Sequence, residues 1–355
     1  MTTDKAILSR VMDEYKISRQ ATIQPFGSGL INHTWVVCDI DKIYILQRIN
    51  EKVFKNPEVI AYNIELIAGH LNDNFPAYTF AFPLPARNGK TIFYAEEGGW
   101  FRMFTFIEGS HTIDVAETPE QAYEAASQFG KFTRLLNDID INKLKITIPD
   151  FHNLSLRYQQ FLAAIKNAAA ERKKQAALLV DELIGHSSIV SEYQKIKTKN
   201  QFVQRVTHHD TKISNVLFDK NGKGICVIDL DTVMPGYFIS DAGDMMRTYL
   251  SPVSEEEKDF SKIKIREEFY EAIVKGYYNE MKEVLTPTEK NYFFYSGCFM
   301  IYMQALRFLT DFLNNDMYYG EKYPGHNFVR AGNQAVLLQR LLEKKNFLNS
   351  RLSYF

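Results

Sequence analysis

Apolar spacing marks out the elements before any chemistry is considered. Ile7, Leu8, Val11, Met12 and Tyr15 recur every three or four residues among charged neighbours, so 4–16 is predicted to be an amphipathic helix. β-branched and aromatic residues then take over. Trp35 to Val37 and Lys42 to Asn50 (KIYILQRIN) read as paired strands. Residues 83–106 read as a hairpin and a long strand, turning at Ala86–Thr91 and running through Trp100–Phe106. A helix is expected over Pro57–Leu71 between them. Ile107-Glu108-Gly109-Ser110 ends the β-type region as the expected hinge. Beyond it, helical spacing dominates. Thr118 caps a helix with Pro119 at its first position, running to about Asn137 with Phe129, Phe132, Leu135 and Leu136 inward. Two or three helices follow within 155–199, then long ones over 262–284 and 287–314, and a last one over 330–345. The pattern predicts an α+β chain, with sheet first and helices after.

One stretch, 206–232, breaks the helical rhythm. It holds His208-His209-Asp210, then Asn215, then Asp229 at the end of the apolar run Cys226-Val227-Ile228. An Asx-rich turn before a hairpin explains its Asn221-Gly222 tip. It does not explain the order H-x-D-x-x-x-x-N, strand, Asp, which is the order used by protein kinases and their small-molecule relatives. Phosphoryl transfer needs a carboxylate at the acceptor hydroxyl and oxygen ligands that hold Mg²⁺ against the phosphates. Asp210, Asn215 and Asp229 supply those groups in that order, and Lys212 follows the aspartate where a cation can sit beside the γ-phosphate.

Composition narrows the alternatives. Formal net charge is −1 and no long basic run occurs, which argues against a nucleic-acid binder. The three cysteines, Cys38, Cys226 and Cys298, are far apart and form no C-x-x-C pair, so neither a disulfide framework nor a thiolate zinc site is suggested. The N-terminus is charged and amphipathic rather than a secretory signal, and the longest uncharged run, Tyr292 to Leu306, is too short to cross a bilayer. These features fit a cytoplasmic monomer or weak homodimer that takes a small-molecule substrate.

Other candidates are less specific. Gly27 and Gly29 precede a strand, as in a loop whose N–H groups approach phosphates, but the next Gly of that pattern is replaced by Asn32, and a plain hairpin fits as well. Gly89-Lys90-Thr91 imitates a P-loop end, but Leu84 stands where the earlier glycine is required. Arg48 is the charged candidate on its strand for a phosphate-reaching cation; alternation leaves open whether Arg48 or Gln47 points inward. Glu65 could pair with that cation or be solvated. Asp241 opens a helix, as its N-cap, as a brace for the catalytic loop, or both. Asp244 and Arg247 are placed to pair with each other or to touch substrate. Arg307 and Asp311 interrupt an apolar helix, either as an ion pair or as a cleft wall.

The runs His208–Asn215 and Val227–Gly236 resemble the aminoglycoside phosphotransferase/choline kinase superfamily, and more narrowly the N-acetylhexosamine 1-kinases. Tyr44–Asn50, Asp241-x-Gly243-Asp244-x-x-Arg247, Ala305–Asp311 and Gly325-His326-Asn327 with Arg330-Ala331 fit the same group. The likeness extends from Gly27 to Gln334. It implies a two-lobed protein-kinase-like fold, with a nucleotide-binding lobe over 1–108 and a helical catalytic and substrate lobe over 109–355. It implies ATP and Mg²⁺ as cofactors and phosphorylation of the anomeric hydroxyl of GlcNAc or GalNAc. Asp210 would be the base, and Asn215 and Asp229 the metal ligands, with Asp231 assisting. Gly27, Gly29, Asn32 and Thr34 would form the phosphate loop. Arg307 would hold sugar hydroxyls, and His33, Asp244, Tyr319 and His326 are further candidate acceptor contacts. His209 departs from the pattern, since relatives usually carry Gly or Asn there. Rival readings are a kinase of another small alcohol, such as an aminoglycoside, choline or another sugar, and a catalytically inactive nucleotide-binding module.

Overall fold

The computed structural model describes residues 5–27 and 31–352. A five-stranded antiparallel sheet dominates the N-terminal part. Its strands are β1 (Thr22–Pro25), β2 (His33–Cys38), β3 (Ile43–Arg48), β4 (Ile92–Ala95) and β5 (Gly99–Thr105), in the spatial order β1-β2-β3-β5-β4. Alternation gives the sheet two faces. Trp35, Leu46, Phe101 and Met103 point to one face and are covered by Leu8 and Val11 of α1 (Lys5–Glu14) and by Tyr15 just after it. The other face lies towards α2 (Pro57–Asn74), whose Ile60, Ile64, Ile67 and Leu71 are buried. A buried apolar side chain contributes roughly 1.5–3 kcal/mol, so these two seams fix the sheet's orientation.

The remaining elements are mostly helical. After the two-residue strand β6 (His111–Thr112) comes α3 (Pro119–Leu135), opened by a complete capping box between Thr118 and Gln121. Three helices follow, α4 (Leu154–Asn167), α5 (Ala170–Gly185) and α6 (Ser188–Thr198). Short strands β7 (Arg205–Thr207), β8 (Val216–Phe218), β9 (Gly224–Val227) and β10 (Met234–Gly236) frame the 206–232 stretch, β7 pairing with β10 and β8 with β6 and β9. Then come α7 (Phe238–Tyr249), α8 (Glu267–Met281), α9 (Phe293–Leu313), α10 (His326–Glu343) and α11 (Lys345–Leu352). The core is built on α9, buried almost throughout and packed against α4, α7 and α10. Gly243 lets α7 approach it closely, since a Cβ there would stand 2.3 Å from the Ser296 carbonyl oxygen. Among the described residues no helix is long and apolar enough to cross a membrane.

Several boundaries differ from the expected ones. Residues 260–262 and 289–291 form separate 3₁₀ turns, so α8 and α9 begin later than their apolar spacing suggests. α10 begins earlier, at His326, because Gly325 adopts φ +80° and turns the chain into it.

Candidate active site

β7 delivers the chain to His208 and His209. His208 Nδ1 accepts the Asp210 N–H at 3.3 Å, and its Nε2–H faces the Ile228 carbonyl oxygen at 3.0 Å. One neutral tautomer satisfies both bonds, and burial lowers the ring's pKa and keeps it neutral. The ring therefore ties Asp210 to the strand end that carries Asp229. The Asp210 carboxylate meets Lys212 Nζ at 3.1 Å and the Asn215 amide nitrogen at 3.1 Å. That nitrogen also donates to the Asp210 carbonyl at 2.8 Å, which turns the Asn215 amide oxygen the other way. The Asn215 carbonyl accepts the Ile228 N–H at 2.9 Å, setting Asn215 beside Asp229.

α7 braces this loop. The Asp241 carboxylate accepts the N–H groups of His208 (3.0 Å) and His209 (2.8 Å), and Asp244 accepts that of Thr211 (2.8 Å). Asp241 is not an N-cap: Tyr237 holds that position, and the Asp241 carboxylate reaches the loop that carries Asp210 instead of its own helix. Burial pushes the Asp241 carboxyl up to about 7 despite the two backbone bonds. His209 takes φ +67°, and its ring Nδ1 lies 3.0 Å from the Thr207 carbonyl oxygen. A Cβ on Gly236 would meet His209 Nε2 at 2.5 Å, so that glycine makes room for the ring.

Asp229 is exposed to solvent and takes φ +60°. Enclosure by protein and then the nearby carboxylates Asp231 and Asp210 push it up to about 7, while Arg102 and Lys212 work the other way. Such a crowd of carboxylates fits a divalent cation, which the Asp229 carboxylate and the Asn215 amide oxygen would share with nucleotide phosphates. Among the described residues no three His, Cys, Asp or Glu side chains converge on a metal position.

Asp231 does something else. It is buried in a 3₁₀ turn; one carboxylate oxygen forms an ion pair with Arg102, and the other accepts from the Asn32 amide at 2.7 Å. Asn32 Oδ1 in turn accepts the Asn50 N–H at 3.0 Å. Arg102 Nε donates to Gln47 Oε1 at 3.0 Å, and Gln47 Nε2 to Thr34 Oγ1 at 3.3 Å. Thr34, Gln47 and Arg102 lie opposite one another on β2, β3 and β5.

A second cluster is built on α9 and the loop after it. Arg307 lies 5.4 Å from the Tyr319 ring, 5.7 Å from Phe151 and 5.9 Å from Tyr318, and donates to Gln304 Oε1 at 3.3 Å. Asp311 accepts the N–H groups of Tyr318 and Tyr319, each at 2.8 Å, rather than pairing with Arg307. Arg247 bridges Asp244 (3.0 Å) and Glu255 (2.8 Å), and Arg330 joins Glu255 to Asn327. The His152 ring lies 5.1 Å from His209; burial first, and then the neighbouring His209 ring and the Arg307 and Arg247 charges, hold its pKa well below the usual imidazole range.

Residues 22–284 match the model of the phosphotransferase enzyme family. The chain belongs to that family. Three solved structures show the same two-lobed, protein-kinase-like fold. An aminoglycoside phosphotransferase from Alicyclobacillus acidocaldarius matches at 12% identity and TM-score 0.65, over 99% of this chain and 97% of its own. The amicoumacin kinase hAmiN, solved with AMP-PNP, Ca²⁺ and its ligand Ami, matches at 14% and 0.60, over 96% and 92%. Choline kinase from Cryptosporidium parvum Iowa II matches at 14% and 0.57, over 98% and 99%.

In this phosphotransferase several sequence candidates come together and others do not. Asp210, Lys212 and Asn215 are in contact, and Asp229 adjoins them. Asn32 and Thr34 lie on the inner sheet face, and Gly27 takes φ +74° before them; Gly29 lies outside the described residues. Arg48 and His33 are paired with each other on the opposite, α1-covered face, because strand alternation turns Gln47 and Thr34 inward. Arg48 is therefore replaced by Arg102 as the inward cation. Glu65 is exposed and takes Thr91 Oγ1 at 2.5 Å, so it does not meet the cation. Both oxygens of Asp231 are engaged by protein, not left for a metal. Asp244 is held by Thr211 and Arg247. Tyr319 flanks Arg307, while His326 packs on Tyr323, its ring 4.9 Å away. Sequence reasoning missed Arg102; its signal was a lone charge inside Trp100-Phe101-Arg102-Met103-Phe104.

Proposed function

We propose that this protein is an ATP-dependent kinase that phosphorylates the anomeric hydroxyl of an N-acetylhexosamine, GlcNAc or GalNAc, to give the sugar 1-phosphate. The observation that carries the kinase reading is the contact of Lys212 and Asn215 with the Asp210 carboxylate, braced by His208 and Asp241. Asp210 orients the acceptor hydroxyl and takes its proton late in an in-line transfer, as the bond from the γ-phosphorus to the ADP oxygen breaks and one to the acceptor oxygen forms. Lys212 offsets charge on the transferring oxygens. A divalent cation held by Asn215 and Asp229 would neutralise the phosphates. An anomeric hydroxyl is more acidic than an alkyl one and suits a carboxylate base.

The N-acetylhexosamine reading draws on Arg307, set among the Phe151, Tyr318 and Tyr319 rings and hydrogen-bonded to a neutral glutamine. A guanidinium there disfavours cationic acceptors such as choline or an aminoglycoside and can hydrogen-bond sugar oxygens. ADP release across a panel of N-acetylhexosamines, neutral sugars, choline and an aminoglycoside, with ³¹P NMR to locate the new phosphate, tests this. The expected product is an anomeric phosphate. Turnover with choline or the aminoglycoside alone would refute the sugar reading, and no Mg·ATP binding at all would refute the kinase reading.

A further inference from the structure

A kinase-type site needs a cation on the inner face of its sheet, where it meets the nucleotide phosphates. β3 does not provide one here. Its inward residues are Ile43, Ile45 and Gln47, and Glu65 of α2 is turned outward to Thr91. The register places Arg102 of β5 directly opposite Gln47, on the same face, with Arg102 Nε bonded to Gln47 Oε1 at 3.0 Å. We propose that Arg102, from the neighbouring strand, is the phosphate-binding cation of this enzyme, and that Asp231 is the residue that positions it. The inference rests on the kinase reading above.

Three observations carry it. Arg102 and Asp231 form an ion pair whose side chains are 4% and 1% exposed, so the guanidinium is fixed rather than mobile. Asp231 stands two residues beyond Asp229, across the left-handed turn at Asp229, so the carboxylate facing the metal and the one gripping Arg102 are carried by one short rigid segment. Asp231 also holds the Asn32 amide, so it anchors the glycine-bearing loop and the cation together. A guanidinium has five N–H donors in a planar fork, so it can hold Gln47 and Asp231 and still offer donors to an anion. In this arrangement an inter-lobe ion pair, Arg102–Asp231, takes the place of the pair that protein kinases make between β3 and their first helix.

The test separates a phosphate contact from a merely structural pair. Four proteins are compared: the parent, Arg102→Gln, Arg102→Gln/Asp231→Asn, and Arg102→Gln/Gln47→Lys. Each is read by melting temperature, KM for Mg·ATP and KM for the acceptor. Arg102→Gln is expected to raise the ATP KM about tenfold or more, with the acceptor KM within about twofold. Arg102→Gln/Asp231→Asn, which leaves no unpaired buried charge, is expected to regain the parent's melting temperature but not its ATP KM. Arg102→Gln/Gln47→Lys, which returns the cation to the same face one strand away, is expected to recover several-fold in ATP KM. Recovery of both melting temperature and ATP KM by the doubly neutral variant would overturn the proposal. Should that variant melt below the assay temperature, Arg102→Lys decides: a selective rise in ATP KM supports the proposal, and equal changes in both KM values, or none, overturn it. A parent that shows no thermal shift with Mg·ATP would instead sink the kinase reading itself.

Discussion

Asp241→Asn should separate stability from activity. The Asp241 carboxylate is 1% exposed and spans two backbone N–H groups, those of His208 and His209. Burial raises its carboxyl from 3.8 to about 7 in the folded protein. The sign follows from linkage: the folded state holds this proton more tightly than the unfolded chain, so the ionised carboxylate costs stability that grows as pH rises from about 4 and is complete above about 7. At 1.36 kcal/mol per pH unit, the full cost is roughly 4 kcal/mol. The amide removes that cost but keeps only one acceptor, losing a bond worth about 1.5–3 kcal/mol. The variant should therefore lie about 0–1.5 kcal/mol below the parent at pH 5 and exceed it by about 1–3 kcal/mol at pH 8. Turnover should nevertheless fall roughly 10–100-fold, because one of the two tethers that place Asp210 is gone. Urea melts at the two pH values, with kcat measured at pH 8, provide the assay. A variant destabilised equally at both pH values, or one with full turnover, would refute this reasoning.

Further outcomes are expected elsewhere. Arg307→Ala should raise the acceptor KM by about 10–100-fold while leaving ATP hydrolysis without acceptor unchanged; equal effects on both would make Arg307 merely structural. His209 is held down to about 4 by burial, so the stability it contributes at neutral pH is lost as pH falls from about 6.5 to 4, up to roughly 3 kcal/mol. His209→Asn, which tolerates positive φ, should flatten that acid limb in denaturant melts at pH 7 and 4.5; an unchanged limb would exclude His209 as its source. Glu289 makes a two-pronged ion pair with Arg205, at 2.8 and 2.9 Å with side chains 0% and 3% exposed, so Glu289→Gln should cost about 3–5 kcal/mol in urea melts. A loss below about 1 kcal/mol would show that the buried arginine finds other partners.

How much of this was legible in the sequence depended on range. Asp210, Lys212 and Asn215 meet through contacts two to five residues apart, so their spacing alone foretold the cluster. The Thr118 cap and the Asn221-Gly222 turn are likewise local, and both are present. Strand alternation, in contrast, assigns residues to two faces without saying which face is inner. Only the cover of α1 over Trp35 and Leu46 decides that Gln47 points in and Arg48 out. The Asn32–Asp231 bond joins residues 199 apart and Arg102–Asp231 joins residues 129 apart, distances at which no periodicity speaks. Asp241 looked like a cap because it begins a run of helical spacing, but Phe238 already starts the helix. Its carboxylate serves a loop more than thirty residues upstream.

The most direct measurement follows the γ-phosphoryl group. With ³²P-labelled ATP, Mg²⁺ and N-acetylhexosamine, the parent should yield ADP and labelled sugar phosphate in equal amounts. Asp210→Asn should transfer the label roughly 10²–10⁴ times more slowly while still binding Mg·ATP. Label released only as inorganic phosphate, or undiminished transfer by the variant, would contradict the assignment of Asp210 as the group that prepares the acceptor.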